Sequence, residues 1–520
     1  MKKSLIASVV SLLFIPTLAF AASPIASVTK EWTYSHSLTG VAGLTSEIAA
    51  YDAITNTVWV AGVVGVDVLN ATTGSLVQHI SINNPNLGFT GSINSVAIKN
   101  GLAAFAIENS TRSNAGAVQL YDTNTRSLVS GVNTIAVGAL PDMITFTNDG
   151  SKLLVANEGT PNVVFAPNGD VVSSTYGTQV GSTVPRNFGL GSVDPVGSVS
   201  IINMSTRTVA STATFAGVQQ IGSNIRTNTG MDFEPEYIAV NAAGTKAYVG
   251  LQEANAMGVL DIATGSFEKV IGLGAKDFSL PGNQIDPSDR NGVNFSSPNV
   301  KGLYMPDGIV SYEKNGQTFL VMANEGDYRE DDADRGRAGA SGLVASNDPR
   351  SRLQASLTDS TTTDLYVAGA RSFTIRDVDG SIIFDSGDQL DKAAFAAGIY
   401  DDGRSDDKGV EPEGVELLTI AGRTIAAIGL ERTTKSAIAL FDITDPENSS
   451  FLQLLVTDGD ISPEGLKAFE ISGISYLAIA NEVSNTTTLY SLAPVPEPET
   501  YAMLLTGLGL LGFSARRRKQ

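Results

Sequence analysis

The chain has 520 residues, a formal net charge of −20, two histidines and no cysteine. A surface this acidic repels nucleic-acid phosphates, so we expect no nucleic-acid partner. Without cysteine the chain can form neither a disulfide framework nor a thiolate metal site, and His36 and His79 alone give little support for a zinc site.

The first predicted element is a secretory signal peptide over residues 1–21. Lys2 and Lys3 precede an apolar run that ends at Phe20, and Ala19 and Ala21 supply the small residues that a signal peptidase recognises. A buried core helix is the alternative, which the order of these features at the chain start disfavours. The segment predicts export, and the absence of cysteine suits a bacterial envelope.

Residues 22–493 carry a repeat with almost no helical periodicity. Each unit begins with a carboxylate or amide, often after proline, and continues through three or four short apolar runs. Seven such starts occur, at Glu47, Asn94, Asp142, Glu236, Asp307, Glu413 and Glu464.

Four short strands per unit, repeated seven times, predict an all-β fold, a seven-bladed β-propeller. The seventh unit lacks a fourth run, and a spare apolar strand lies near Trp32 before the first unit. We expect this N-terminal strand to complete the last blade, which would leave no exposed sheet edge there. A pair of β-sandwiches is the alternative, but it does not account for seven units of the same internal order.

The repeated carboxylates should converge at one mouth of the propeller channel. Strand direction alternates within a blade, so the start of the first strand and the end of the second lie on the same face. Carboxylates gathered in this way have raised pKa values or share a cation, and Ca²⁺ takes six to eight oxygen ligands where Mg²⁺ requires stricter geometry. We therefore expect Ca²⁺, and less readily Mg²⁺, at a metal site drawn from Glu47, Asp142, Glu158, Glu236, Asp307, Glu325, Glu413 and Glu464.

The same carboxylates have a structural interpretation as turn caps that bind backbone N–H groups. Arg404, Arg432 and Lys435 would then neutralise the ring without any metal. Both interpretations remain open from the sequence, and they can apply to different blades.

Long acidic insertions occupy residues 263–306, 327–362 and 386–410, around the fifth unit. Long loops on a rigid scaffold often carry function. If the protein is a metal-dependent phosphoesterase, Arg329 and Arg404 are candidate phosphate clamps and Asp327 is a candidate catalytic carboxylate.

The last element is a sorting tail over residues 494–520. Pro496-Glu497-Pro498 precedes an apolar stretch of 15 residues, 501–515, and a basic cluster that begins at Arg516. The stretch spans roughly 22 Å as a helix, short of the roughly 30 Å hydrocarbon core, which predicts a transient membrane anchor. These three features resemble the PEP-CTERM sorting signal of Gram-negative bacteria. The resemblance implies export through the inner membrane of such a bacterium and processing by an exosortase-type enzyme.

The middle of the chain resembles the choice-of-anchor I family of alkaline-phosphatase-like and phytase-like propellers. The resemblance rests on segments such as Leu140-Pro141-Asp142-Met143, Ala156-Asn157-Glu158-Gly159, Ala323-Asn324-Glu325-Gly326-Asp327 and Glu411-Pro412-Glu413-Gly414. It implies a seven-bladed propeller over residues 40–492.

The sequence leaves three functions open. The first is a surface or exopolysaccharide-associated protein that binds a divalent cation at the acidic mouth. The second is a metal-dependent phosphoesterase that acts on a phosphate ester. The third is a metal-free scaffold or carbohydrate-binding propeller, since fold alone decides none of these.

Overall fold

The computed structural model describes residues 23–160, 163–165, 171–174, 195–226, 233–328 and 335–495. The predicted signal peptide, Arg329 and all of the sorting tail beyond Val495, with its predicted membrane segment, lie outside the described residues. Among the residues described, no helix combines the length and the apolar character needed to cross a bilayer.

Strands dominate the first half of the chain. They are β1 (Ile25–Ser35), β2 (Ala49–Asp52), β3 (Thr57–Gly62), β4 (Gly65–Asn70), β5 (Leu76–Ser81), β6 (Gly91–Lys99), β7 (Leu102–Asn109), β8 (Ala115–Asp122), β9 (Ser127–Leu128), β10 (Thr134–Ala139), β11 (Pro141–Phe146), β12 (Lys152–Asn157), β13 (Val163–Phe165), β14 (Val171–Ser174), β15 (Ser198–Asn203), β16 (Thr208–Thr214), β17 (Gln219–Ser223), β18 (Ile238–Val240), β19 (Lys246–Leu251), β20 (Ala256–Asp261) and β21 (Ser266–Leu273).

The second half continues in the same way. Its strands are β22 (Ala275–Asp277), β23 (Lys301–Leu303), β24 (Ile309–Lys314), β25 (Gln317–Asn324), β26 (Arg335–Arg337), β27 (Gln354–Ser356), β28 (Tyr366–Ala368), β29 (Ser372–Asp377), β30 (Ile382–Asp385), β31 (Pro412–Ile420), β32 (Arg423–Leu430), β33 (Ser436–Asp442), β34 (Ser450–Thr457), β35 (Pro463–Ile471), β36 (Ile474–Asn481) and β37 (Thr486–Pro494). The described α-helices are α1 (Asn84–Leu87) and α2 (Gln389–Ala396), with single 3₁₀ turns at His36–Thr39, Pro349–Arg352, Asp402–Arg404 and Pro446–Asn448.

Seven sheets in the described part of the chain share one plan, in which four strands pair antiparallel side by side. They are sheet 1 (β2, β3, β4, β5), sheet 2 (β6, β7, β8, β10), sheet 3 (β11, β12, β15, β16), sheet 4 (β18, β19, β20, β21), sheet 5 (β24, β25, β29, β30), sheet 6 (β31, β32, β33, β34) and sheet 7 (β35, β36, β37, β1). The chain is therefore all-β, as the sequence predicts.

The first strands of these sheets contact one another in a closed cycle. In order, β2 contacts β6, β6 contacts β11, β11 contacts β18, β18 contacts β24, β24 contacts β31, β31 contacts β35, and β35 contacts β2. Seven apolar clusters fill the spaces between consecutive sheets, and one of them joins sheet 7 to sheet 1 through Tyr34, Val58 and Leu489.

Burial follows strand position within each sheet. All six residues of β3 are buried, whereas β5, the outermost strand of sheet 1, is mostly exposed. Strands covered on both faces require continuous apolar runs of β-branched and aromatic residues, and the sequence of β3 (TVWVAG) fits that requirement.

The N-terminal strand pairs with the end of the repeat, as the sequence predicts. β1 runs antiparallel to β37, from the Ile25–Pro494 pair to the Ser35–Thr486 pair. Just after β1, the buried ring of His36 contacts Asp67 Oδ2 at 2.9 Å through Nδ1 and Thr487 Oγ1 at 2.8 Å through Nε2. Three distant segments are therefore joined at this point.

The insertions around sheet 5 build a further sheet that the sequence does not predict. It contains β22, β23, β28, β27 and β26 in that spatial order and has its own apolar cluster, which includes Phe278 and Leu353. Part of the predicted 263–306 insertion belongs elsewhere, because β21 completes sheet 4. β17 adds a parallel strand outside β21, and β13 pairs with β14 as a separate hairpin.

Candidate functional site

A cavity of about 370 Å³ lies where the first strands of the sheets begin. Ten carboxylates line it: Asp142, Glu158, Glu236, Asp307, Glu325, Asp327, Glu413, Glu431, Glu464 and Glu482. Seven of the eight predicted metal ligands are in this set. The eighth, Glu47, lies beside it, since the Glu47 carboxylate interacts electrostatically with both Glu464 and Glu482.

The cavity continues into a channel along the first strands. A second cavity of about 380 Å³ is lined by the first strands of all seven sheets, and it shares Ile48, Ser95, Met143 and Tyr237 with the first. The carboxylates of the first cavity, which we call the acidic mouth, thus lie at one end of this channel.

Bulges place the carboxylates at the start of the first strands. The pairing register shifts between Pro141 and Ile144, between Pro412 and Val415, and between Pro463 and Leu466. In each of these bulges one residue is a carboxylate: Asp142, Glu413 or Glu464. A bulge re-aims a side chain, which explains how a regular strand can present a carboxylate at its end.

Four of the carboxylates follow an unusual backbone conformation. Leu140, Met305, Glu411 and Ser462 have positive φ angles of 44°, 41°, 49° and 64°. Each is followed by proline and then by the carboxylate, as in Leu140-Pro141-Asp142. Positive φ is costly for such residues and persists only where the surroundings enforce it, typically at functional sites.

Glycines allow neighbouring sheets to approach closely behind the carboxylates. A Cβ added to Gly308 would lie 2.5 Å from the Glu413 carbonyl oxygen, and one on Gly414 would lie 2.2 Å from that of Glu464. A Cβ on Gly465 would lie 2.1 Å from the carbonyl oxygen of Glu47. The carboxylates of sheets 5, 6, 7 and 1 are therefore held side by side by direct backbone contact.

In the described part of the chain, two groups of three carboxylates are tight enough to hold a cation. The first, which we call the Asp307 group, contains Asp307, Glu325 and Glu413, and the second, the Glu411 group, contains Glu325, Glu411 and Glu431. Within each group the ligand oxygens lie within 4.8 Å of one another, and Glu325 belongs to both.

Basic side chains surround the Glu411 group. Lys408 Nζ lies 2.6 Å from Glu325 Oε1 and 3.0 Å from Glu411 Oε2. Arg404 binds Glu411 through Nε, at 2.8 Å, and through Nη2, and Arg432 Nη2 lies 2.8 Å from Glu431 Oε1. Lys435, predicted to neutralise the ring, instead pairs with Asp458 at 2.6 Å.

The electrostatics of the mouth oppose ionisation. Burial, reinforced by neighbouring carboxylates, holds the pKa values of Asp142, Glu236, Asp307, Glu413 and Glu464 well above their ordinary range. Burial also raises the pKa values of Glu47, Glu253 and Glu325 to about 7. A cation bound here would favour the ionised forms.

Several buried oxygens in or beside the mouth have no partner other than a neighbouring carboxyl group among the described residues. These are one oxygen each of Glu236, Glu413 and Glu464, and one of Glu253, which lies next to Glu236. Glu236 is only 9% exposed and lines the mouth. A buried polar atom without a partner costs free energy, and a ligand that pairs with it removes that cost.

Two of the three predicted catalytic candidates lie among the described residues, and each is close to a side chain of opposite charge. Arg404 is bound to Glu411 and lies 3.4 Å from Asp407. Asp327 lines the mouth, 3.9 Å from Lys408 Nζ. Arg329 lies outside the described residues.

The prediction from sequence missed the residues that support the mouth. Glu411 is 1% exposed and Lys408 is 9% exposed, and neither was predicted as a site residue. Gln252 Nε2, which donates to Glu325 Oε2 at 2.9 Å, was also missed. The Glu-Pro-Glu pattern that recurs within the repeat, at Glu234 and at Glu411, was a usable signal, because it places a second carboxylate two residues before the predicted ligand.

Comparisons with solved structures give weak likenesses. A chain titled "Kuenenia stuttgartiensis Hydrazine Synthase" has a TM-score of 0.47 and 11% identity, over 86% of this chain and 96% of that chain. A chain titled "Crystal Structure of Mitotic Checkpoint Complex" has a TM-score of 0.47 and 9% identity, over 94% of this chain and 99% of that chain. Likenesses at this level carry no argument about function, and no curated protein matches the chain.

The family comparisons are specific. The PEP-CTERM protein-sorting motif matches residues 494–519, from the last residue of β37 onward, and indicates export and sorting to the cell surface of a bacterium by an exosortase-type system. The choice-of-anchor I domain matches residues 47–446, most of the chain. The chain therefore belongs to the choice-of-anchor I domain family, as its sequence motifs predict.

Proposed function

We propose that this exported protein is a seven-bladed β-propeller whose acidic mouth binds a divalent cation, Ca²⁺ in preference to Mg²⁺. The closed cycle of first-strand contacts and the apolar cluster between sheets 7 and 1 support the propeller. The side sheet built by the insertions lies outside this repeat of seven.

The Asp307 group is the proposed cation position. Its oxygens lie within 4.8 Å of one another. Ligands on opposite sides of Ca²⁺ are about 5 Å apart, since each Ca–O distance is about 2.3–2.6 Å. Unlike the Glu411 group, Asp307 and Glu413 have no Lys or Arg within ion-pair distance among the described residues.

The observation that carries the proposal is the buried carboxyl of Glu236, a residue only 9% exposed in the mouth, whose hydrogen-bond partner is a second carboxyl, that of Glu253. Turn capping cannot explain it, because a capping oxygen accepts a hydrogen bond from a backbone N–H group. Two carboxyl groups in contact must hold a proton between them, and a cation bound in the mouth replaces that proton and offsets the repulsion among the carboxylates.

The position of the protein in the cell gives this binding a context. The sorting motif supports a site at the cell surface or in the extracellular matrix, after tail processing in a Gram-negative bacterium. We propose exopolysaccharide as the surrounding material. The transient membrane anchoring by the tail is part of the same proposal.

Calorimetry and thermal unfolding test the cation directly. Purified protein stripped with EDTA should bind Ca²⁺, and Ca²⁺ should raise its Tm, because a ligand at about 100 times its Kd stabilises by about 2.7 kcal/mol. Mg²⁺ should raise the Tm less. A Tm that does not change when Ca²⁺ is added would refute the proposal.

Amide variants identify the ligands. The double variant Glu236→Gln, Glu413→Gln keeps side-chain size but removes two carboxylates, so its Tm should no longer respond to Ca²⁺. Glu447→Gln is the matched control, since Glu447 is exposed on the 3₁₀ turn Pro446–Asn448, and it should respond as the wild type does.

The phosphoesterase and metal-free alternatives gain no specific support. Arg404, the predicted phosphate clamp that lies among the described residues, is already paired with the Glu411 carboxylate. Release of phosphate from aryl phosphates by the Ca²⁺-loaded protein would restore that alternative.

A further inference from the structure

We propose that the ammonium group of Lys408 is a built-in cation that fills a second metal position in the acidic mouth. The mouth would then take one divalent cation, although its carboxylates could hold two. This inference rests on the proposed function in using the same site, but it concerns how many cations bind and which residue sets that number.

The two carboxylate groups are chemically alike but differ in what accompanies them. Each has three carboxylates with ligand oxygens within 4.8 Å, and they share Glu325. The Glu411 group contacts three basic side chains, Lys408, Arg404 and Arg432. Among the described residues, the Asp307 group forms an ion pair with one basic side chain, Lys408, and that only through the shared Glu325.

Lys408 is placed as a bound ion would be. Its side chain is 9% exposed, and Nζ lies 2.6 Å from Glu325 Oε1, 3.0 Å from Glu411 Oε2 and 3.9 Å from Asp327 Oδ2. The distance to Glu325 equals the upper end of the roughly 2.3–2.6 Å range of Ca–O ligation, and the distance to Glu411 is somewhat longer. The ammonium therefore occupies the space between Glu325 and Glu411 that a divalent cation would need.

The shared carboxylate links the two positions. Glu325 Oε1 accepts from Lys408, and Glu325 Oε2 accepts from Gln252 Nε2 at 2.9 Å. Each carboxylate oxygen has two lone-pair directions, so Glu325 can keep both hydrogen bonds and still ligate a metal in the Asp307 group. Lys408 and Gln252 thus fix the orientation of one ligand for the neighbouring position.

A tethered ammonium has consequences that a free ion does not. It cannot be removed by a chelator, and it excludes a second divalent cation by charge and by volume. The chain segment that carries it, between the 3₁₀ turn Asp402–Arg404 and β31, is held at the mouth whether or not the metal is present. The Glu411 group therefore holds a permanent cation, the Lys408 ammonium, whereas the Asp307 group binds the divalent cation reversibly.

The test replaces the ammonium with an apolar side chain of similar length. We expect Lys408→Met to bind two Ca²⁺ per chain by calorimetry where the wild type binds one. In EDTA its Tm should fall well below that of the wild type, because two buried carboxylates, Glu325 and Glu411, lose their shared cation, and Ca²⁺ should recover most of that loss. Lys408→Arg, which keeps the positive charge, should bind one Ca²⁺ per chain, as the wild type does.

The matched control is Lys467→Met. Lys467 also lines the channel and pairs with a carboxylate, Glu416, at 3.0 Å, but lies toward the other end. Its Ca²⁺ stoichiometry should stay at the wild-type value. If Lys408→Met does not fold in EDTA, recovery of folded protein by refolding in Ca²⁺ supports the inference. If it folds in neither condition, Lys408→Gln, whose amide can still donate to Glu325, is measured in its place.

The outcomes separate this inference from the proposed function. If the wild type and both neutral variants bind one Ca²⁺ with the same gain in Tm, the inference is wrong and the proposed function stands. If the wild type binds none while a neutral variant binds one, the inference stands and the proposed function fails. If neither the wild type nor a neutral variant binds Ca²⁺, both the inference and the proposed function are wrong.

Discussion

At the scale of single residues, the acidic mouth is a set of carboxylates whose charge state depends on what they bind. Glu47, Glu253 and Glu325 have pKa values raised to about 7, chiefly by burial. In the unfolded chain a glutamate titrates near 4.3. The folded, cation-free protein therefore binds more protons than the unfolded chain between these two values.

This difference fixes the sign of a pH dependence. Where the folded state binds more protons, the free energy of unfolding falls as the pH rises. In EDTA the Tm should therefore be higher at about pH 5.5 than at about pH 8, and Glu253→Gln, which mimics the protonated form, should flatten the difference. Differential scanning calorimetry measures both, with Glu447→Gln as the control that keeps the wild-type slope. A Tm that rises between these two pH values would contradict the prediction.

At the scale of elements, the start of each first strand is shaped by its neighbours as much as by its own sequence. Gly414 lies against the backbone of sheet 7, where a Cβ would meet the Glu464 carbonyl oxygen at 2.2 Å. A Cβ on Gly250, at the end of β19, would meet the Asp307 carbonyl oxygen at an ordinary 3.6 Å. Neither glycine has a positive φ, so space alone distinguishes them.

Alanine substitutions at these two glycines should therefore differ. Gly414→Ala should lower the free energy of unfolding by about 1–3 kcal/mol or more, because the clash is with backbone and overpacking forces the sheets apart. It should also weaken Ca²⁺ binding, since Glu413 moves with it. Gly250→Ala should be nearly neutral. Chemical denaturation measures both, and equal losses would argue against backbone contact as the cause.

The strand pattern was predictable from the sequence, whereas the geometry of the mouth was predictable only in part. Short apolar runs located strands such as β4 and β29, because the burial of a strand requires apolar residues at recurring positions in its sequence. The positive φ angles of Leu140 and Met305 could not be predicted from the sequence, since neither residue type favours that conformation. The position of Lys408 also depends on a long insertion that carries no periodicity.

The side sheet escaped prediction for a related reason. Its strands have three residues each and are joined by long connections, so they show neither alternation nor turn signals close enough to read. β17 pairs parallel to β21, an arrangement that a repeat of antiparallel units does not suggest.

At the scale of the whole molecule, one strand pair joins the two ends of the repeat. β1 supplies the outer strand of sheet 7, and Trp32 Nε1 donates to the Ala71 carbonyl oxygen of sheet 1 at 3.0 Å. The His36–Asp67 contact adds a buried pair at the same place, and Asp67 has its pKa lowered to about 2 because hydrogen bonds from His36, His79 and Thr39 outweigh burial.

Removing β1 should therefore affect the entire fold. A chain that starts after Ser35 leaves the edge of β37 unpaired, and such edges promote association. It should unfold at a lower temperature and elute as oligomers in size-exclusion chromatography, whereas a chain that starts at Ser23 should remain like the mature protein. A monomer of unchanged Tm lacking β1 would show that the closure contributes little.

The pairing of β1 with β37 also bears on how the protein matures. Thr33 and Thr488, which share a hydrogen bond of 2.8 Å, are 455 residues apart. When the chain crosses the membrane from its N-terminus, β1 emerges first and its partner nearly last, so any product cut short before β37 keeps a bare edge. The unpaired edge of sheet 7 therefore marks an incomplete copy for proteases that degrade proteins with exposed strands, whatever the state of the acidic mouth.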